Sequence, residues 1–100
     1  MEQLERPIIV PWDFTHVVEN AFQHAVYISK ILNREVLLLH VVDDEKKIEA
    51  KKRKLVESAA TLSKETGVQP HIMVVEGSIF HAIGETAKEL KAEMIIMGTH

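Results

Sequence analysis

Gly98-Thr99-His100 follows the apolar run Met94-Ile95-Ile96-Met97 and closes the sequence. A buried strand that ends on glycine reads as the opening of a phosphate-binding loop. Glycines let backbone N–H groups converge on an anion at a helix N-terminus. One glycine cannot complete that grip. The sequence therefore predicts the front part of a nucleotide-binding α/β domain, cut where the phosphate contacts begin, with no tight triphosphate binding by this stretch alone. The second candidate is Asp13, which follows Ile8-Ile9-Val10-Pro11-Trp12. Ligands of open parallel sheets lodge beyond the carboxyl ends of the strands, where the strand order reverses, and that rule puts Asp13 on the wall of a nucleotide pocket. The alternative for Asp13 is a helix-entry aspartate held by local backbone bonds. For Gly98 it is a plain strand-end turn residue.

Other chemistries find little support. There is no cysteine, which excludes disulfides, thiolate zinc sites and thiol nucleophiles. His40 interrupts an apolar strand and reads as a hydrogen-bonded core histidine rather than a metal ligand. His16 and His24 are too far apart for an i, i+4 pair, and His71, His81 and His100 have no ligand spacing, so no metal is expected. No Ser-His-Asp order with an elbow glycine is present, nor carboxylates that pair across a cleft, so no enzyme is expected. Asp43-Asp44 follows the second strand and the third ends on Glu76-Gly77, which does not suit the acidic pocket of response-regulator receiver domains. Lys51-Lys52-Arg53-Lys54 reads as a solvated helix face balanced by Glu45, Glu49 and Glu57. A formal charge of −3 gives no reason to expect nucleic acid or an anionic membrane as partner. The 46% apolar content indicates a globular domain over 1–100, and the short, interrupted apolar runs give no spanning or secretory segment, so a cytoplasmic location is expected.

The elements that must position Asp13 and Gly98 can be read in order. Ile8-Ile9-Val10 is a strand buried on both faces, ended by Pro11, which has no N–H to donate. Thr15 is the expected N-cap of a first helix with Val18, Ala21, Phe22, Ala25, Ile28 and Leu32 inward. Val36 to Val42 is the second strand. Asp43-Asp44-Glu45 opens a long helix with Ile48, Leu55, Ala59 and Leu62 inward and Gly67 at its end. Pro70 to Val75 is an edge strand. Ser78 caps a third helix with Ile79, Ile83, Ala87 and Leu90 inward, and Met94 to Met97 is the fourth strand. Strand–helix alternation implies a parallel sheet covered on both faces.

At four strand ends the chain resembles the universal stress protein family. Ile8-Ile9-Val10-Pro11-Trp12-Asp13-Phe14-Thr15 is similar to that family's opening strand and its Pro-x-Asp-Phe-Ser/Thr turn. Leu37-Leu38-Leu39-His40-Val41-Val42-Asp43 is similar to its second strand. Glu76-Gly77-Ser78 with Ile83 and Ala87 resembles the start of its third helix. Met94-Ile95-Ile96-Met97-Gly98-Thr99-His100 resembles the fourth strand and the first glycine of Gly-x-x-Gly-x9-Gly-Ser/Thr. The resemblance implies a Rossmann-like sheet of order 3-2-1-4-5, of which this chain supplies 3-2-1-4 without the fifth strand. It implies a stress-response module that in its full-length form binds ATP or another adenine nucleotide and forms homo-oligomers. Asp13 would contact the nucleoside, backbone at Val41 and Val42 the adenine, Pro11 and Trp12 the pocket wall, and Gly98 and Thr99 the start of the phosphate loop. Three departures stand out. The second glycine, the later Gly-Ser/Thr and the fifth strand are absent. Trp12 is bulkier than the small residue usual there, and is expected to crowd the base. The link after the second strand is short. The alternative reading is an interaction module of the same fold that binds no nucleotide. In either case the apolar fourth strand is an edge expected to recruit partners.

Overall fold

A computed structural model describes residues 4–98. The elements are β1 (Ile8–Pro11), α1 (Val17–Leu32), β2 (Val36–Val42), a short 3-10 turn (Glu45–Lys47), α2 (Ile48–Thr66), β3 (His71–Glu76), α3 (Ile79–Leu90) and β4 (Met94–Ile95). The four strands form one sheet of order β3-β2-β1-β4, and each neighbouring pair is parallel. Stepping from β1 to β2 to β3 moves one way across the sheet. Right-handed crossovers therefore put α1 and α2 on one face, and the long step back from β3 to β4 puts α3 on the other.

Period-two alternation along the strands sorts the core into two layers. Ile8, Val10 and Trp12 of the first strand and its turn, with Val36 and Leu38 of β2, pack against Val18, Phe22 and Ala25 of α1 and Leu55, Ala59 and Leu62 of α2. Ile9, Leu37 and Leu39 face the other way, against Ile83 of α3. Only α3 covers that second face among the described elements, and Ile95 and Met97 on it are 39% and 46% exposed.

Several boundaries differ from the sequence reading. Thr15 does not cap α1. His16 occupies the N-cap position without a side-chain bond, because the Thr15 hydroxyl is committed to Asp13. Asp43-Asp44 lies before a 3-10 turn rather than inside α2, with Asp44 accepting from the Lys46 N–H. β3 starts at His71, one residue after the buried Pro70. Ile79 points outward, 53% exposed, while Ala82, Ile83 and Thr86 form the buried side of α3. β4 is shorter than Met94–Met97. It pairs at Met94 and Ile95, gains one more bond from the Ile96 N–H to the Ile9 carbonyl at 2.9 Å, and then leaves the sheet.

The departing chain runs against the start of α1. A Cβ at Gly98 would stand 3.1 Å from Val17 Cγ1 and 3.1 Å from the Val17 carbonyl oxygen. Neither partner can easily yield, since one is helix backbone. Gly84, midway along α3, has nothing within 4 Å of such a Cβ. Gly98→Ala is therefore expected to cost about 1–3 kcal/mol through overpacking. Gly84→Ala is expected to add about 0.5–1 kcal/mol by raising helix propensity. Urea unfolding of the two variants should give shifts of opposite sign.

Candidate functional site

The carboxyl ends of β2, β1 and β4 lie side by side, and Pro11 controls how they separate. Ile8 donates to the Glu35 carbonyl at 2.9 Å and Trp12 to the Leu39 carbonyl at 2.8 Å, so the even-numbered residues of this strand address β2. The odd-numbered ones address β4, where Ile9 accepts from Ile96. The N–H that Pro11 lacks is thus the donor that would have held β4. The ladder to β2 continues past Pro11, while the ladder to β4 ends before it. The two neighbouring strands part where the strand order reverses, with α1 leaving β1 on one face and α3 reaching β4 from the other, which is the binding position of doubly wound sheets.

Asp13 stands in the turn at this fork. Its Oδ1 accepts from the Thr15 backbone N–H at 2.9 Å and from the Thr15 hydroxyl at 2.6 Å, an Asx-type closure that fixes an exposed carboxylate. The local role foreseen for this residue is therefore present, and it holds the carboxylate at the strand end. Phe14 follows in the left-handed region at φ 66°, unusual for an aromatic residue. Its ring is held from two sides. The His40 imidazole meets it edge-on at 4.8 Å, and the Lys54 and Lys51 ammoniums lie 4.4 and 5.7 Å from its centre. His40 Nδ1 donates to the Trp12 carbonyl at 2.6 Å, which ties β2 to the turn. His40 is half-buried and hydrogen-bonded, and no group of three metal-capable side chains occurs among the described residues.

Trp12 requires a correction. Its indole is only 5% exposed and packs edge-to-face on Phe22, centroids 6.4 Å apart. It belongs to the core under α1, because it continues the inward alternation of Ile8 and Val10. The side chain lies in the core and does not crowd the strand ends.

Beyond β2 and β3 lies an open crevice of about 420 Å³. Val41 and Val42 form part of it, with His40, Lys47 and Lys51 on one side and Ser78 on the other. A larger hollow of about 820 Å³ lies at the opposite, amino end of the sheet. Its Arg6 is paired with Glu93 at 2.7 Å, and Arg34 approaches the same carboxylate at 3.9 Å, so its charges join strand β4 to the entry of β1 and β2. Of the residues expected to bind, the structure brings Pro11, Asp13, Val41, Val42 and Gly98 to adjacent strand ends. Val41 and Val42 line the crevice, and Gly98 packs on Val17. Thr99 lies outside the described residues. The sequence reading takes Lys51 and Lys54 as part of a solvated helix face and gives Lys47 and Phe14 no role, whereas the structure gathers all four around the end of β2. The i, i+4, i+7 spacing of the lysines was the available signal.

At the crevice mouth Lys47 Nζ meets Asp43 at 2.7 Å. That hydrogen bond and its charge hold the Asp43 carboxyl below its ordinary 3.8 and push the Lys47 amine above its ordinary 10.5. The pair's contribution is complete between those two values. It is lost as pH falls through the lowered carboxyl pKa, or rises through the raised amine pKa. Lys47→Ala is expected to return the Asp43 titration to about 3.8–3.9, read from its side-chain carboxyl resonance. An unchanged titration would show that the contact is not kept in solution.

The universal stress protein family model matches residues 5–100. Universal stress protein MJ0531 of Methanocaldococcus jannaschii is 27% identical over 113 residues, which span 98% of this chain and 66% of that protein. The chain thus covers slightly less than two thirds of this relative. A universal stress protein from Archaeoglobus fulgidus superposes with a TM-score of 0.70 at 26% identity, over 94% of this chain and 33% of its own. A family protein from Burkholderia pseudomallei gives 0.74 at 21% identity, over 95% of this chain and 83% of its own. The family match extends over almost all of the sequence and its relatives share this parallel sheet, and the chain belongs to the universal stress protein family.

Proposed function

We propose that this chain carries the nucleoside half of an adenine-nucleotide site in a stress-response protein, and that it acts by binding rather than by turnover. The observation that carries this reading is the fork at Pro11. It sets the Asp13 carboxylate, the Val41–Val42 strand end and Gly98 at the ends of three neighbouring strands. In this reading Asp13 receives the ribose hydroxyls, Val41 and Val42 offer backbone to the base edge, and the phosphates of ATP run toward Gly98 and Thr99. The inward turn of Trp12 removes the steric objection to a purine there. Occupancy would act on partner contacts only through differential affinity for two states.

A second role, self-association, is favoured by β4. Its outer edge has no strand partner among the described residues, and Ile95 and Met97 are exposed beside it. Exposed apolar edges recruit further strands. We assign homo-oligomer formation to this edge, compatible with nucleotide binding or independent of it.

Adenosine and AMP at tenfold excess over Kd are expected to stabilise the chain by about 1.4 kcal/mol, raising Tm by roughly 5–10 °C for a domain of this size. Asp13→Asn keeps an oxygen for the Thr15 turn but removes the charge, and should abolish most of that rise. No shift with any adenine compound, or an equal shift in the variant, would overturn the nucleoside reading. Separately, sedimentation velocity should show association of the wild-type chain that Ile95→Lys reduces. A strictly monomeric wild type would remove the edge from consideration.

A further inference from the structure

The basic stripe at the start of α2 has no part in the nucleoside reading, yet Lys47 and Lys51 line the strand-end crevice together with Asp43, and Lys54 lies outside that lining, over the Phe14 ring. Lys47, Lys51 and Lys54 recur at i, i+4 and i+7 and so share one side of the helix and its leading turn. Asp43 offsets Lys47 at 2.7 Å. Lys51 is half-buried and lines the crevice, and it shares the Phe14 ring with Lys54, at 5.7 and 4.4 Å. Two ammoniums drawn to one ring repel each other. The π-face offsets part of that repulsion and leaves their outward N–H donors unused by the ring. The far wall of the crevice is Gly77, Ser78 and Ile79, where α3 begins. There the helix dipole adds partial positive charge to what the lysines supply.

We infer that this crevice binds a small phosphate-class oxyanion, with Lys51 as the principal ligand and Lys54 completing the charge. The site is distinct from the phosphate end expected beyond Gly98. The crevice stands over β2 and β3, and Gly98 follows β4, which lies on the far side of β1. A ligand here would sit on the opposite flank of Val41 from the nucleotide phosphates.

Pyrophosphate titrated at low ionic strength, followed by backbone amide shifts and calorimetry, tests this. Wild-type protein is expected to bind, with the largest shifts at Gly77, Ser78 and Lys51. The Lys51→Gln/Lys54→Gln variant should bind about tenfold more weakly, the scale of losing charged hydrogen bonds. Lys51→Arg should retain binding, and Lys30→Gln, on the exposed end of α1, should behave as wild type. An unchanged Kd in the double variant, or shifts spread equally around Lys30, would overturn the inference. Because the lysine side chains are not core, unliganded melting curves should match, and the rescue by Lys51→Arg separates charge loss from misfolding. Pyrophosphate binding without any adenosine response supports this site and defeats the nucleoside reading, and the reverse result does the opposite. Additive binding of ATP and pyrophosphate would support a separate anion site, and displacement of pyrophosphate by the phosphates of ATP would overturn it.

Discussion

A single missing hydrogen-bond donor organises the functional end of this domain. Pro11 lies in β1 with its donorless nitrogen on the side of β4, so the sheet can hold β2 past the end of the strand but must let β4 go after Ile96. A residue with an N–H at position 11 could extend the ladder and draw Met97 and Gly98 alongside Trp12. As built, the chain is free to leave the sheet and bear on the first turn of α1. The approach of Gly98 to Val17 is the packing counterpart of that release, and it explains the glycine without any ligand.

Much of this architecture was legible in the residues. Strand runs of β-branched and leucine side chains, helical apolar spacing and Gly67 at the end of α2 place seven of the elements and imply a parallel sheet, while its 3-2-1-4 order follows from the family resemblance. The misread details have local causes. Thr15 looked like a cap because threonine before an apolar stripe usually is one, but Asp13 two residues earlier competes for the same hydroxyl. Met94 to Met97 looked like a full strand because burial patterns cannot reveal that the neighbouring strand runs out of donors on one side. Trp12 was judged by bulk rather than by parity. Counting in twos from Ile8 through Val10 would have sent its side chain to the core.

The electrostatics at the strand ends were harder to read. Charged runs on helices are most often solvated, and Lys52 and Arg53 are exposed as that rule expects. What distinguishes Lys51 and Lys54 is tertiary. They find Phe14, an aromatic residue in an uncommon backbone region, placed by the turn that also fixes Asp13. Local strain in such a turn persists only when its surroundings over-determine it. Here the surroundings are the Asp13–Thr15 closure, the His40 ring and the lysine amines. The turn that fixes Asp13 and the lysines of α2 thus meet at one phenyl ring.

The position of Trp12 has a practical consequence. It is the one tryptophan of the chain. Its indole nitrogen is buried without a hydrogen-bond partner among the described residues, and its carbonyl is gripped by His40 at the crevice wall. Its ultraviolet emission therefore reports from the junction between core and cleft, and needs no attached dye. Any movement of the His40 ring would pull on the tryptophan backbone and alter the colour or yield of that light, which makes the indole an intrinsic optical gauge of the end of β2.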